Sequence, residues 1–155
     1  MLDSYSDIPT HDLKPYMRAP EIADQIVEAI NAEKYACIFS NICNADMVGH
    51  TGNIPAAIQA CEAVDEALGR ISTAAMEHGY AVIVIADHGN ADQMSDEETG
   101  EMHTSHTLNP APFILVSEPR HTITRHEGTL IDIAPTICTL LGLEIPDVMT
   151  GKSFI

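Results

Sequence analysis

Five consecutive apolar residues, Ala81–Ile85 (AVIVI), constrain the fold of this chain more than any other stretch. Four of the five are β-branched, which suits extended backbone, and no polar residue alternates with them. A strand with one face in water would alternate, so the run predicts a strand buried on both faces, as in a parallel sheet covered by helices. The chain then turns abruptly polar: ADHGNADQM, Ala86–Met94, sets Asp87, His88 and Gly89 at the strand's carboxyl end. In open α/β sheets that end is where ligands collect.

The segments around it fit the same architecture. Pro20 suits a first helical turn, and Ile22, Ile26 and Ile30 recur on one face behind it. Tyr35–Phe39 (YACIF) has the length and composition of a short strand. Ile54, Ile58, Cys61, Val64, Leu68, Ile71 and Ala75 keep to steps of three and four, predicting a helix from Ile54 to His78 with Gly79 as its cap. A polar loop of about 25 residues follows the central strand, a length that marks a functional or mobile segment in a compact domain. Pro112 to Val116 offers a second buried strand. Asp132 is placed to cap a helix through Leu141, with Ile133, Ile137, Leu140 and Leu141 facing inward and Gly142 and Pro146 beyond its end. The order predicts an α/β fold: a layered, mostly parallel sheet flanked by helices. Residues 1–15, polar and proline-punctuated, read as a linker or displaced N-terminal segment, leaving 16–155 as the domain.

At 155 residues the chain is one domain's worth. No apolar run approaches the roughly 18 to 20 residues of a membrane helix. The start, MLDSYSDIPTHDLKP, has neither a basic end nor an apolar segment, so cytoplasmic localisation is expected. Cys37, Cys43, Cys61 and Cys138 form no CxxC pair and lie in or beside apolar runs, which predicts buried, reduced thiols. A net charge of −16, from 23 acids against 7 bases, argues against a nucleic-acid partner. Carboxylates and histidines crowded together in such a chain would instead call for cations.

Three polar clusters supply them. NADMVGHTG carries Asp46 and His50, four residues apart, so a helical turn or tight loop can direct both at one ion. ADHGNAD carries Asp87 and His88, which can share an ion only if the chain turns there, or else address two. The long loop carries His103 and His106. Mixed carboxylate and imidazole donors suit Mn²⁺ or Zn²⁺ better than Mg²⁺ or Ca²⁺. The chain has no GxxxxGK[ST] or GxGxxG phosphate loop and no GxSxG elbow. Two neighbouring metals would point to phosphoryl or sulfuryl transfer.

NADMVGHTG, ADHGNADQM, HTSHTLNPAP, the closing MTGKSFI and the early DLKPYM together resemble the C-terminal part of cofactor-independent phosphoglycerate mutase, of the alkaline phosphatase superfamily. The resemblance covers nearly the whole chain, in order. It implies an alkaline-phosphatase-like fold, present here as a partial domain. It also implies a glycolytic isomerase with two metal ions, usually Mn²⁺, interconverting 2-phosphoglycerate and 3-phosphoglycerate through a phosphoserine. Carried over by motif, Asp46, His50 and His106 would bind one ion and Asp87 and His88 would contribute to the other; His103 matches no ligand. The family's second site also takes an early aspartate and the serine of a GNSE-type segment, and neither occurs here. One metal site is thus complete and the other half-complete, with no catalytic nucleophile. The family's arginine-rich transferase domain is also missing; the arginines here are Arg18, Arg70, Arg120 and Arg125.

The resemblance therefore predicts a mutase segment that lacks turnover alone. Two other classes remain open: a non-catalytic metal-binding module that self-associates or pairs with a missing half, and a minimal phosphatase using metal-activated water.

Overall fold

The computed structural model describes residues 2–96 and 98–155; Met1, in the stretch predicted as linker, and Glu97, in the long loop, lie outside the described residues. Helix α1 (Ala19–Asn31) carries Pro20 in its first turn, where the missing N–H costs no hydrogen bond. Its Ala19, Ala23 and Ile30 pack on Ala67, Ile71, Ala74 and Ala75 of helix α3 (Ile54–Glu77). Small side chains on both helices allow close approach. Asn53 caps α3 by accepting the Ala56 N–H at 3.2 Å, and Gly79 takes a left-handed φ of 72° just past its end.

A second core of Met17, Val48, Ala56, Ala57, Ala60 and Met94 lies beneath the short helix α2 (Asn44–Gly49). It fixes α2 on the N-terminal half of α3, and α2 carries Asp46 and ends at His50. The stretch predicted as linker takes part in this packing. A 3-10 turn at His11–Leu13 is tied down by Asn53 Nδ2, which donates to Asp12 Oδ2 at 3.1 Å, and Asn44 Nδ2 donates to the Pro15 carbonyl at 2.9 Å.

Strand β1 (Val82–Ile85) pairs antiparallel with β2 (Phe113–Val116), Val82 opposite Val116 and Ile85 opposite Phe113. This corrects the mostly parallel sheet expected from the apolar runs: the sheet among the described residues has two strands, and Tyr35–Phe39 forms no strand and does not join it. Burial on both faces needs covering layers, and these strands are only partly covered. Ile114 is 50% exposed and Phe39 77%. Because Ile85 and Phe113 are partners, the whole of 86–112 leaves and returns at one end of the sheet.

The α3 stripe is also open. Of its seven predicted inward residues only Ile71 and Ala75 are buried; Ile54, Ile58 and Cys61 are exposed. Val64 and Leu68 line a cleft of about 860 Å³ bounded by α1, α3, β1 and helix α4 (Ile133–Leu140), whose Ile133, Ile137 and Leu140 face it together with Leu141 just beyond the helix. The cysteines follow from this: all four are free, but Cys37 and Cys61 are exposed and the other two half-buried, contrary to the buried thiols expected.

Asp132 organises the C-terminal end. It is 5% exposed and accepts the Lys152 N–H at 2.7 Å, the Thr129 N–H at 2.9 Å and Arg125 Nη2 at 3.3 Å. Its side chain thus reaches back in a capping box with Thr129, instead of capping α4 as predicted. Gly151 closes the same junction, where a Cβ would sit 2.0 Å from the Ile131 carbonyl oxygen. The Lys152 and Thr129 N–H groups, aided by Arg125, lower the Asp132 pKa to about 2. A depressed carboxylate stabilises the fold fully above its unfolded pKa of about 3.9 and loses that contribution as pH falls toward 2. Asp132→Asn is therefore expected to lower Tm by several degrees at pH 7 and to make the fall in Tm between about pH 4 and 2 shallower. An equally steep fall in thermal melts of the variant would rule out this role.

Candidate metal centre

Three donor atoms meet where α2 ends and the long loop passes over it. His50 Nε2 lies 3.3 Å from Asp46 Oδ1, His106 Nε2 lies 3.3 Å from the same oxygen, and the two nitrogens are 3.1 Å apart. Asp46 and His50 come together because they stand one helical turn apart. His106 is delivered by the loop. An ion about 2.0 to 2.1 Å from each donor in a tetrahedral shell would hold them about 3.3 to 3.4 Å apart, close to the triangle observed. The donor set fits a divalent cation.

The ring of His50 is oriented for this. Its Nδ1 lies 2.7 Å from the Thr104 carbonyl oxygen, which can only accept, so Nδ1 carries a proton and Nε2 is the nitrogen turned to the site as the metal donor. His106 is held by a clamp on the adjacent turn. Thr107 N–H donates to the Gly89 carbonyl at 2.8 Å, while Asp92 Oδ2 accepts from Thr107 Oγ1 at 2.9 Å and Asn109 Nδ2 at 2.6 Å. The Asn109 amide, with help from Thr107, holds the Asp92 pKa below its ordinary value.

The chain bends at Asp87 and His88, as sharing one site would require. His88 Nδ1 is 4.0 Å from Asp46 Oδ1, and its ring stacks on His106 with centroids 3.6 Å apart and planes 19° from parallel. Asp46, His88 and His106 also offer donors within 4.8 Å of one another. Stacked rings, however, send their in-plane lone pairs side by side, so the tighter triangle with His50 is the better single-ion set. Asp87 lies at the rim, its side chain 77% exposed and its Oδ2 3.6 Å from His88 Nε2. His103 is engaged elsewhere, its Nδ1 3.0 Å from the Gln93 carbonyl.

Sequence reasoning missed Asn90, Asp92 and the Thr104 carbonyl. Asn90 and Asp92 stand inside the ADHGNAD motif and carried that signal; the Thr104 carbonyl is a backbone group with none. Asn90 is 5% exposed and its Nδ2 donates to Asp46 Oδ1 at 3.0 Å.

Carboxylate and imidazole donors gathered at the end of α2 and on the long loop, at one end of an α/β unit, suit a metal-dependent class of protein. The model of the Metalloenzyme superfamily matches residues 5–145, and the chain belongs to that family. It is 52% identical over 152 residues to the 2,3-bisphosphoglycerate-independent phosphoglycerate mutase of Chloroflexus aggregans, covering 96% of this chain and 28% of that protein. It is likewise 52% identical over 148 residues to the enzyme of that name from Ruegeria pomeroyi, covering 96% of this chain and 29% of the relative. The Leishmania mexicana phosphoglycerate mutase, in crystals at low cobalt concentration, superimposes with a TM-score of 0.86 at 30% identity over 97% of this chain and 30% of its own. The chain thus spans under a third of the length of these relatives, and its fold is part of an alkaline-phosphatase-like domain.

Proposed function

We propose that residues 16–155 are the C-terminal metal-binding segment of the phosphatase-like domain of a cytoplasmic, glycolytic phosphoglycerate mutase that interconverts 2-phosphoglycerate and 3-phosphoglycerate through a phosphoserine. Asp46, His50 and His106 hold one divalent ion, and Asp87 and His88 contribute to a second, with Mn²⁺ the favoured metal and Zn²⁺ or another divalent ion as substitute. The observation that carries this reading is the three-donor triangle with edges of 3.1 to 3.3 Å, placed in a chain half identical to named mutases. Bound, the ions would neutralise phosphoryl oxygens and align the attacking and leaving oxygens.

The chain's own residues do the preparatory work. Asp46 supplies negative charge, the Thr104 carbonyl fixes the His50 proton away from the site, and Asp92 clamps the segment that carries His106. The nucleophilic serine of a GNSE-type segment does not occur in the sequence. With Mn²⁺ and 3-phosphoglycerate, the purified chain is therefore expected to bind metal but form no 2-phosphoglycerate above the uncatalysed background. Turnover at an enzymatic rate in that assay would overturn the division of labour proposed.

The open cleft favours a second reading, an assembly role in which the apolar walls of α3 and α4 are covered by the remaining part of such an enzyme. The acidity of the chain favours neither a nucleic-acid nor an anionic-membrane partner, and no helix among the described residues is long and apolar enough to cross a membrane.

A further inference from the structure

Asn90 stands behind the triangle without belonging to it. It is 5% exposed, yet it follows Gly89 in a polar bend and offers its amide nitrogen to two of the three donors: Nδ2 lies 3.0 Å from Asp46 Oδ1 and 3.3 Å from His50 Nε2. The amide orientation follows from its partner. A carboxylate only accepts, so the nitrogen and not the oxygen faces Asp46. With His50 Nδ1 protonated toward Thr104, the lone pair at Nε2 accepts the second N–H of the amide until an ion takes it, while Asp46 Oδ1, with lone pairs to spare, keeps the first.

The other end of the amide is unusual. Asn90 Oδ1 is buried with no hydrogen-bond partner, an arrangement that costs stability wherever it is retained. It rests against Gly49, where a Cβ would come within 2.1 Å of it. Gly49 sits in helix α2 at a position with no positive φ, so its backbone does not require glycine. The slot does.

We propose that Asn90 is a positioning residue that holds Asp46 and His50 converged before an ion arrives, its two N–H groups standing where the cation would otherwise be needed to keep the donors together, with Gly49 leaving room for the amide. This rests on Asp46, His50 and His106 being a metal site. Held donors lose less freedom on binding, so removing the amide weakens the metal while leaving the fold.

The test is Mn²⁺ titration calorimetry on the full chain. Asn90→Leu keeps the side chain's branching but has no donor; it is expected to bind Mn²⁺ about 10- to 100-fold more weakly, with a metal-free Tm equal to or above the parent's. With Co²⁺ in place of Mn²⁺, its visible spectrum is expected to shift, reporting altered coordination. Gly49→Ala supplies an independent variant: it should weaken Mn²⁺ binding in the parent background and have no added effect in Asn90→Ala, where the amide is gone. Mn²⁺ affinity within twofold of the parent for both Asn90→Leu and Gly49→Ala overturns the role of Asn90 alone. Absence of Mn²⁺ binding by the parent chain overturns the metal site and this inference with it.

Discussion

Asp46→Ala is expected to abolish the stabilisation that Mn²⁺ confers on this chain. Asp46 Oδ1 is the one atom common to the contacts with His50, His106 and Asn90, and it is the only carboxylate oxygen in the tight triangle. An ion that binds the folded state alone stabilises it by RT ln(1 + [L]/Kd), about 2.7 kcal/mol at a hundred times Kd. For a chain of this size that is an increase in Tm of about 5 to 11 °C. Without Asp46 two imidazoles of the triangle remain, and at the same Mn²⁺ concentration the increase is expected to vanish. In metal-free buffer the sign reverses or the effect is small, because the substitution removes one negative charge from a chain at −16. His103→Ala is the internal control, since that ring is engaged with the Gln93 carbonyl, and it should keep the full metal shift. Thermal melts of the three proteins with and without Mn²⁺ decide the matter; a metal shift surviving in Asp46→Ala places the ion elsewhere.

How much of this was legible in the residues differs between the site and the fold. Asp46 and His50 could be read as a pair because four residues is one helical turn, and α2 realises that turn. ADHGNAD could be read as a polar turn at a strand end, and the chain bends there at Asp87 and His88. What spacing could not show was the support behind them. The Thr104 carbonyl has no sequence signature, and Asn90 matters through its distances to Asp46 and His50. The sheet failed for a different reason. An apolar run such as AVIVI reports how a strand is covered in the folded protein to which it is adapted, whereas pairing within this chain depends on which neighbours this chain contains. The apolar runs predict strands buried on both faces, but among the described residues β1 has one neighbour, the antiparallel β2. The same logic explains the cysteines and the α3 stripe. Their composition suits a buried layer, and the surface they would meet is absent among the described residues.

That asymmetry gives the second large effect, which separates residues packed within this chain from residues shaped for a partner. Ala67 is 2% exposed between α3 and α1, so Ala67→Glu forces a charge and extra volume into closed packing and is expected to unfold the chain. Leu68, the next residue, faces the cleft with Val64, Ile137 and Leu140. Leu68→Glu is expected to leave Tm within a few degrees of the parent, since its side chain keeps access to water. The order should reverse when the rest of a mutase is supplied. Co-expressed with the remaining part of the Ruegeria pomeroyi relative, the parent chain is expected to co-purify with it and to restore isomerisation of 3-phosphoglycerate from a background of none. Leu68→Glu, although folded alone, should abolish both, because the cleft then has to bury an unpaired carboxylate against apolar walls. Circular dichroism of the isolated chains and a pull-down with an activity assay read the two halves separately. A Leu68→Glu chain that folds, binds and restores activity like the parent would show that the cleft is ordinary surface, and the apolar lining of α3 and α4 would then need another explanation.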